Sequence, residues 1–102
     1  MVESIPASGA VVIVHSVAMR RYVEQMIFDL RGDQVAKLCR VHSISSYSDL
    51  ARLQGVRMPI RIDHAAYLHM DARVIAYLEQ LERTVELMFG AGAGKPIGIA
   101  KL

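Results

Sequence analysis

The sequence has little of several features, and each shortage excludes a class of protein. Its 102 residues include one cysteine, Cys39, so no disulfide can form within the chain, and an isolated cysteine is typical of a small core residue. No apolar run approaches the length of a membrane span. The net charge of +2 is too small to indicate nucleic-acid binding. Glu3 stands where a signal peptide would carry basic residues, so we expect a cytoplasmic protein with no membrane association.

Apolar residues, by contrast, are abundant and make up 53% of the chain. A chain of this length is expected to form a single domain with a thin core. Part of the apolar excess therefore favours coverage by a second copy of the chain or by another protein. We predict an N-terminal arm over residues 1–9, one domain over residues 10–90, and a flexible C-terminal tail over residues 91–102.

Three apolar runs of β type each end in a short polar tip and give way to a helical pattern. The predicted strands are Ala10–Val14, Leu38–Ile44 and Val56–Ile62. Strands that alternate with helices pair in parallel. We therefore predict an α/β fold with a small, mostly parallel three-stranded sheet in the order βαβαβα, Rossmann-like or RecA-like. Pro59 favours an edge position for the third strand, because proline cannot donate to a neighbouring strand.

Capping signals and apolar spacing predict the helices. The first begins after Ser16 and ends at Gly32, after which Val35–Lys37 leads into the second strand. A short helix is predicted over Asp49–Gln54, and the strongest helix of the chain over Ala72–Phe89.

The tips of the three strands are the first candidate site, because ligands bind beyond the carboxyl ends of parallel strands. The candidate ligand-binding residues are His15, Ser16, Ser45, Ser46, Asp63 and His64. A histidine beside an acid can act as a base or a metal ligand, and serines at helix N-termini attract anions. The structural alternative is that these serines only cap helices and that the histidines merely end strands.

Other patterns are too incomplete to predict a catalytic residue, a metal or a cofactor. The four histidines lack the close spacing of a zinc site. The glycine-rich segment Gly90–Pro96 lacks the spacing and the hydroxyl residue of a phosphate-binding loop, and it follows a helix. A linker is the better interpretation of this segment.

The last predicted helix carries an apolar stripe that is the second candidate surface. Its members are Val74, Leu78, Leu81, Val85 and Met88. Such a stripe either packs against the sheet of its own chain or forms the interface of a homodimer, and both alternatives are open.

Part of the chain resembles the RecA-like core of helicases and related P-loop ATPases. The local match is Ile60-Arg61-Ile62-Asp63-His64-Ala65-Ala66-Tyr67, similar to an apolar strand that ends in Asp-Glu-Ala-His. The resemblance covers residues 10–67 and implies that Asp63 occupies a metal-coordinating position. His64 stands where the catalytic glutamate should be, and no phosphate-binding loop precedes it, so ATP hydrolysis is not implied.

The sequence therefore favours a non-enzymatic binding or adaptor protein that acts as a homo-oligomer. Such a protein would suit a phage or mobile-element accessory role, with a host protein as partner. The alternative is a small-ligand (anion or nucleotide) binding protein or hydrolase whose site lies at the strand tips. There, His64 would be the base and Asp63 its partner, while His15 and Ser16 would contact an anionic substrate.

Overall fold

The computed structural model describes residues 1–89, and the predicted tail lies outside them. The strands are β1 (Val11–Val14), β2 (Arg40–Ser43) and β3 (Ile60–Ile62); the α-helices are α1 (Val17–Leu38), α2 (Ala66–His69) and α3 (Ala72–Phe89). Two 3-10 helices, Val2–Ser4 and Tyr47–Leu53, complete the described elements.

The three strands form one parallel sheet in the order β2-β1-β3, which confirms the predicted α/β fold and parallel pairing. Val12 of the central strand pairs with Val41 on one side and Arg61 on the other. Every residue of β1 is buried, because neighbours cover both its edges and both its faces. Pro59 precedes an edge strand, as predicted, and its carbonyl accepts a hydrogen bond from the Val11 N–H at 2.8 Å.

Alternation along β1 divides the core into two clusters, one on each face of the sheet. Val12 and Val14 pack with Val23 and Ile27 of α1. Val11 and Ile13 face the other way, into a cluster that contains residues of α3 and of the second 3-10 helix. The helix that follows β1 and the segment that follows β2 therefore cover opposite faces.

α1 consists of two helical segments. Gly32 has φ +88° and ψ 169°, a non-helical conformation that ends the first segment where the sequence predicted, and a second segment continues to Leu38. The prediction that Val35–Lys37 leads into the second strand is therefore wrong. An ion pair between Lys37 and Asp33 at 3.1 Å supports this last helical segment.

The N-terminal residues, predicted to form an arm, contribute to the core. Val2 and Ile5 are buried in the same cluster as α1. Arg61 of β3 donates to the Ser4 hydroxyl and carbonyl at 3.0 and 3.1 Å, and Arg31 donates to the Val2 carbonyl at 2.9 Å. These hydrogen bonds hold the first turn against the domain.

The two remaining predicted helices are both present, although the bounds of the shorter one differ from the prediction. The short helix predicted at Asp49–Gln54 is the 3-10 helix Tyr47–Leu53, and the strongest predicted helix is α3 with the predicted bounds. No helix within residues 1–89 combines the length and apolar character needed to cross a membrane.

Candidate functional site

Parallel pairing brings the polar tips of all three strands to one edge of the sheet, as expected. The Asp63 N–H donates to the Ile13 carbonyl at 3.0 Å, and the Ile44 N–H donates to the Val14 carbonyl at 2.9 Å. His15, at the end of the central strand, therefore lies between the tips of β2 and β3.

Three of the six predicted ligand-binding residues already have partners within the chain. The Ser16 hydroxyl accepts a hydrogen bond from the Met19 N–H at 3.1 Å and caps α1. The Asp49 carboxylate accepts from the Ser45 and Ser46 N–H groups and from the Ser45 hydroxyl, at 2.9 to 3.2 Å. Hydrogen bonds from the Ser45 amide and hydroxyl lower the pKa of Asp49. An internal carboxylate thus takes the place that the sequence assigned to a bound anion.

His15 and Asp63 differ from the serines because each keeps an unsatisfied polar atom. Nδ1 of His15 and Oδ2 of Asp63 are buried and have no hydrogen-bond partner among the described residues. The His15 ring stacks on the ring of His69, with centroids 4.4 Å apart. The sixth candidate, His64, is exposed.

The unsatisfied atoms lie where the sheet changes its direction of winding. The chain passes from β1 to β2 over the α1 face, and from β2 to β3 over the opposite face, so β3 pairs with the other edge of β1. In open α/β sheets ligands bind beyond the strand ends at such a reversal, which here lies between β1 and β3. Within residues 1–89, no three His, Cys, Asp or Glu side chains converge to hold a metal ion.

The apolar stripe of α3 packs mainly in the core, which is the first of the two alternatives that the sequence left open. Val74, Leu78 and Val85 are buried against the sheet, and Leu81 is partly buried beside them. Only Met88 is exposed. The physical reason is that α3 covers the face of the sheet opposite to α1. Its most regular apolar stripe therefore faces inward.

A surface that the sequence analysis missed lies along the outer edge of β2. A cleft of about 360 Å³ lies between α1 and Val41 of this strand. Its apolar lining comprises Ile27, Phe28, Ala36, Cys39 and Val41, and its polar lining comprises Arg21, Glu24 and Gln25. The signal in the sequence was the mixed polarity of the second strand, which is typical of a strand at an edge.

The backbone of β2 also has hydrogen-bonding groups that point away from β1, on the unpaired edge of the strand. The Arg40 and Ile44 N–H groups donate to β1, so alternation turns the N–H groups of Val41 and Ser43 outward. Arg52 caps the Ser43 carbonyl at 3.0 Å. The N–H and C=O of Val41 therefore form the centre of the open edge.

Burial and the nearby arginines disfavour the protonated form of His42 in β2. Burial lowers the pKa of His42 below its ordinary value of 6.5, and the nearby Arg52, Arg20 and Arg40 lower it further. Within the described part of the chain, neither Arg21 nor Glu24 takes part in an ion pair.

No family model matches the chain, and no curated protein or solved structure shows significant similarity to it. The resemblance of residues 10–67 to a RecA-like core stays a prediction.

Proposed function

We propose that the chain is a non-enzymatic binding protein that acts through protein–protein contacts at the open edge of β2. The observation that carries the proposal is that an open strand edge lies beside an apolar cleft. Open edges are sites where another chain adds by main-chain hydrogen bonds, and a neighbouring pocket receives its side chains.

The exposed apolar residues around the cleft support this surface. Phe28 and Leu38 are each 49% exposed, although both are large and apolar. A partner that covers them removes apolar area from water, which stabilises the complex in addition to the strand pairing.

Site-specific photocrosslinking in cells tests the proposal. A photoreactive phenylalanine analogue at position 28 is expected to crosslink to protein, and Val41→Pro is expected to suppress that crosslink. Proline removes an N–H that faces away from β1, so the sheet itself keeps its hydrogen bonds. The same analogue at Leu87, an exposed apolar residue on α3, is the control position.

A second variant protects the test from a folding defect. Ser43→Pro removes the other outward N–H of β2, while Val41 keeps its packing against the core cluster on the α1 face. The proposal is overturned if position 28 gives no protein crosslink, or if its crosslink is as strong in both variants as in the unmodified chain.

A second candidate function, ligand binding at the strand tips, rests on the unsatisfied atoms of His15 and Asp63 at the ends of β1 and β3. The reversal of winding between these two strands supports a Rossmann-like arrangement. Asp63→Asn is expected to leave the melting temperature equal or raised, while abolishing the thermal shift produced by adenosine or ADP, whose hydroxyl and amino groups can donate to the Asp63 carboxylate. A lower melting temperature, with no shift by either probe in the unmodified chain, contradicts this candidate.

A further inference from the structure

We infer that the partner at the β2 edge is a second copy of the chain, bound through an antiparallel two-fold contact between the α1 helices. This inference rests on the proposed function, because it names the occupant of the same surface. The observation that carries it is a self-complementary stripe on the exposed side of α1.

The stripe consists of Val17, Arg21, Glu24 and Phe28, at successive spacings of four, three and four residues. These spacings place the four side chains along one side of a helix, as in the seam between two packed helices. Arg21, Glu24 and Phe28 all line the cleft beside β2. Val17 is 53% exposed and Phe28 is 49% exposed, so the two apolar ends of the stripe have no adequate cover in the single chain.

A two-fold axis midway between Arg21 and Glu24 makes the stripe complementary to itself. In an antiparallel pair of α1 helices, Val17 of one copy then faces Phe28 of the other. Arg21 of one copy faces Glu24 of the other, and both contacts occur twice. An isologous interface requires this relation. If one residue of the first copy contacts a second residue of the other copy, the same contact occurs with the two copies exchanged. An unrelated partner would impose no such symmetry on the stripe.

The same axis passes beside the open edge of β2. Val41 lines the cleft together with Arg21 and Glu24, so the centre of the strand lies next to the centre of the stripe. Two copies related by this axis bring their β2 edges together in antiparallel orientation. The N–H and C=O of Val41 in each copy are then opposite their counterparts, which joins two three-stranded sheets.

Charge-reversal variants test whether the dimer forms through this stripe of α1. Analytical ultracentrifugation of the whole chain is expected to show a dimer. Arg21→Glu opposes two glutamates across the axis, and Glu24→Arg opposes two arginines. Each change is expected to raise the dimer dissociation constant by at least about tenfold, because like charges face each other.

Recombining the charges should restore the dimer in two independent ways. The double variant R21E/E24R exchanges the charges and recreates both contacts. An equimolar mixture of the two single variants forms a heterodimer in which every opposed pair is again of opposite charge. Arg73→Glu, an equal charge change at a side chain 85% exposed on α3, is the control and should leave the dimer unchanged.

The possible failures are distinguishable. A chain that remains a monomer, or a dimer that neither single variant weakens, overturns the inference. If position 28 still crosslinks to a different protein in a Val41-dependent manner, the proposed function stands without the homodimer. If that crosslink is also absent, both proposals fail.

Discussion

The imidazole rings of His15 and His69 are stacked, with centroids 4.4 Å apart and an interplanar angle of 23°. His15 follows the central strand, whereas His69 is the last residue of α2. The stack therefore holds a single helical turn against the carboxyl end of β1. Nδ1 of His15 is among the side-chain atoms buried without a partner.

Removing the ring of His69 should loosen this contact. His69→Ala is expected to lower the free energy of unfolding by about 0.5–1.5 kcal/mol, the usual contribution of an aromatic pair. His69→Phe retains a ring and should change it little. Urea denaturation of both variants checks this, and equal losses in the two would show that the stack contributes nothing.

The α3 stripe offers a comparison between a core residue and an exposed one. Leu78 is fully buried, so Leu78→Ala should lower the free energy of unfolding by about 2–5 kcal/mol. Leu87 is 86% exposed, and Leu87→Ala should change it by less than about 0.5 kcal/mol. Thermal or chemical denaturation measures both. A small effect at Leu78 would contradict its place in the core.

Two glycines with positive φ are expected to respond differently to substitution. Gly32→Ala meets open space, so only backbone strain of about 1–3 kcal/mol should appear. At Gly9, a Cβ would collide with the carbonyl of Leu38, and the collision should cost about 1–3 kcal/mol more. Chemical denaturation of the two alanine variants gives the difference. Equal losses in the free energy of unfolding would show that the backbone near Gly9 shifts to accommodate the added Cβ without penalty.

His42 should make the protein less stable in mild acid. Its pKa is lowered in the folded state by burial and by the neighbouring Arg52, Arg20 and Arg40. Below pH 6.5 the unfolded chain therefore binds more protons at this position than the folded chain, and the free energy of unfolding falls as the pH falls. His42→Gln removes this contribution.

The measurement is the free energy of unfolding of both proteins between pH 5 and pH 8, a range of about three units around the ordinary histidine pKa. Because the chain contains three other histidines, the difference between the two curves is the relevant quantity. That difference should change as the pH falls through 6.5 and be constant only well above it. Parallel curves throughout would contradict the lowered pKa of His42.

Much of the fold could be predicted because local patterns determine it. The apolar run that became β1 indicated a strand of a parallel sheet, and Pro59 indicated an edge. The Ser16 cap and the periodicity of α3 located two helices. The candidate site was predicted less well: parallel pairing correctly brought the strand tips together, but the serines proved to be satisfied by the chain itself.

The amino-acid sequence by itself determined which segments become strands and helices, since backbone preference, capping and apolar spacing act over a few residues. Only the tertiary structure decided which apolar stripe is core and which is left open. The α3 stripe covers the sheet, whereas that of Val17 and Phe28 is exposed on α1. Periodicity shows that a helix has an apolar side, but what covers that side depends on contacts distant in sequence. The order β2-β1-β3 and the stacking of His15 on His69 depend on the same distant contacts.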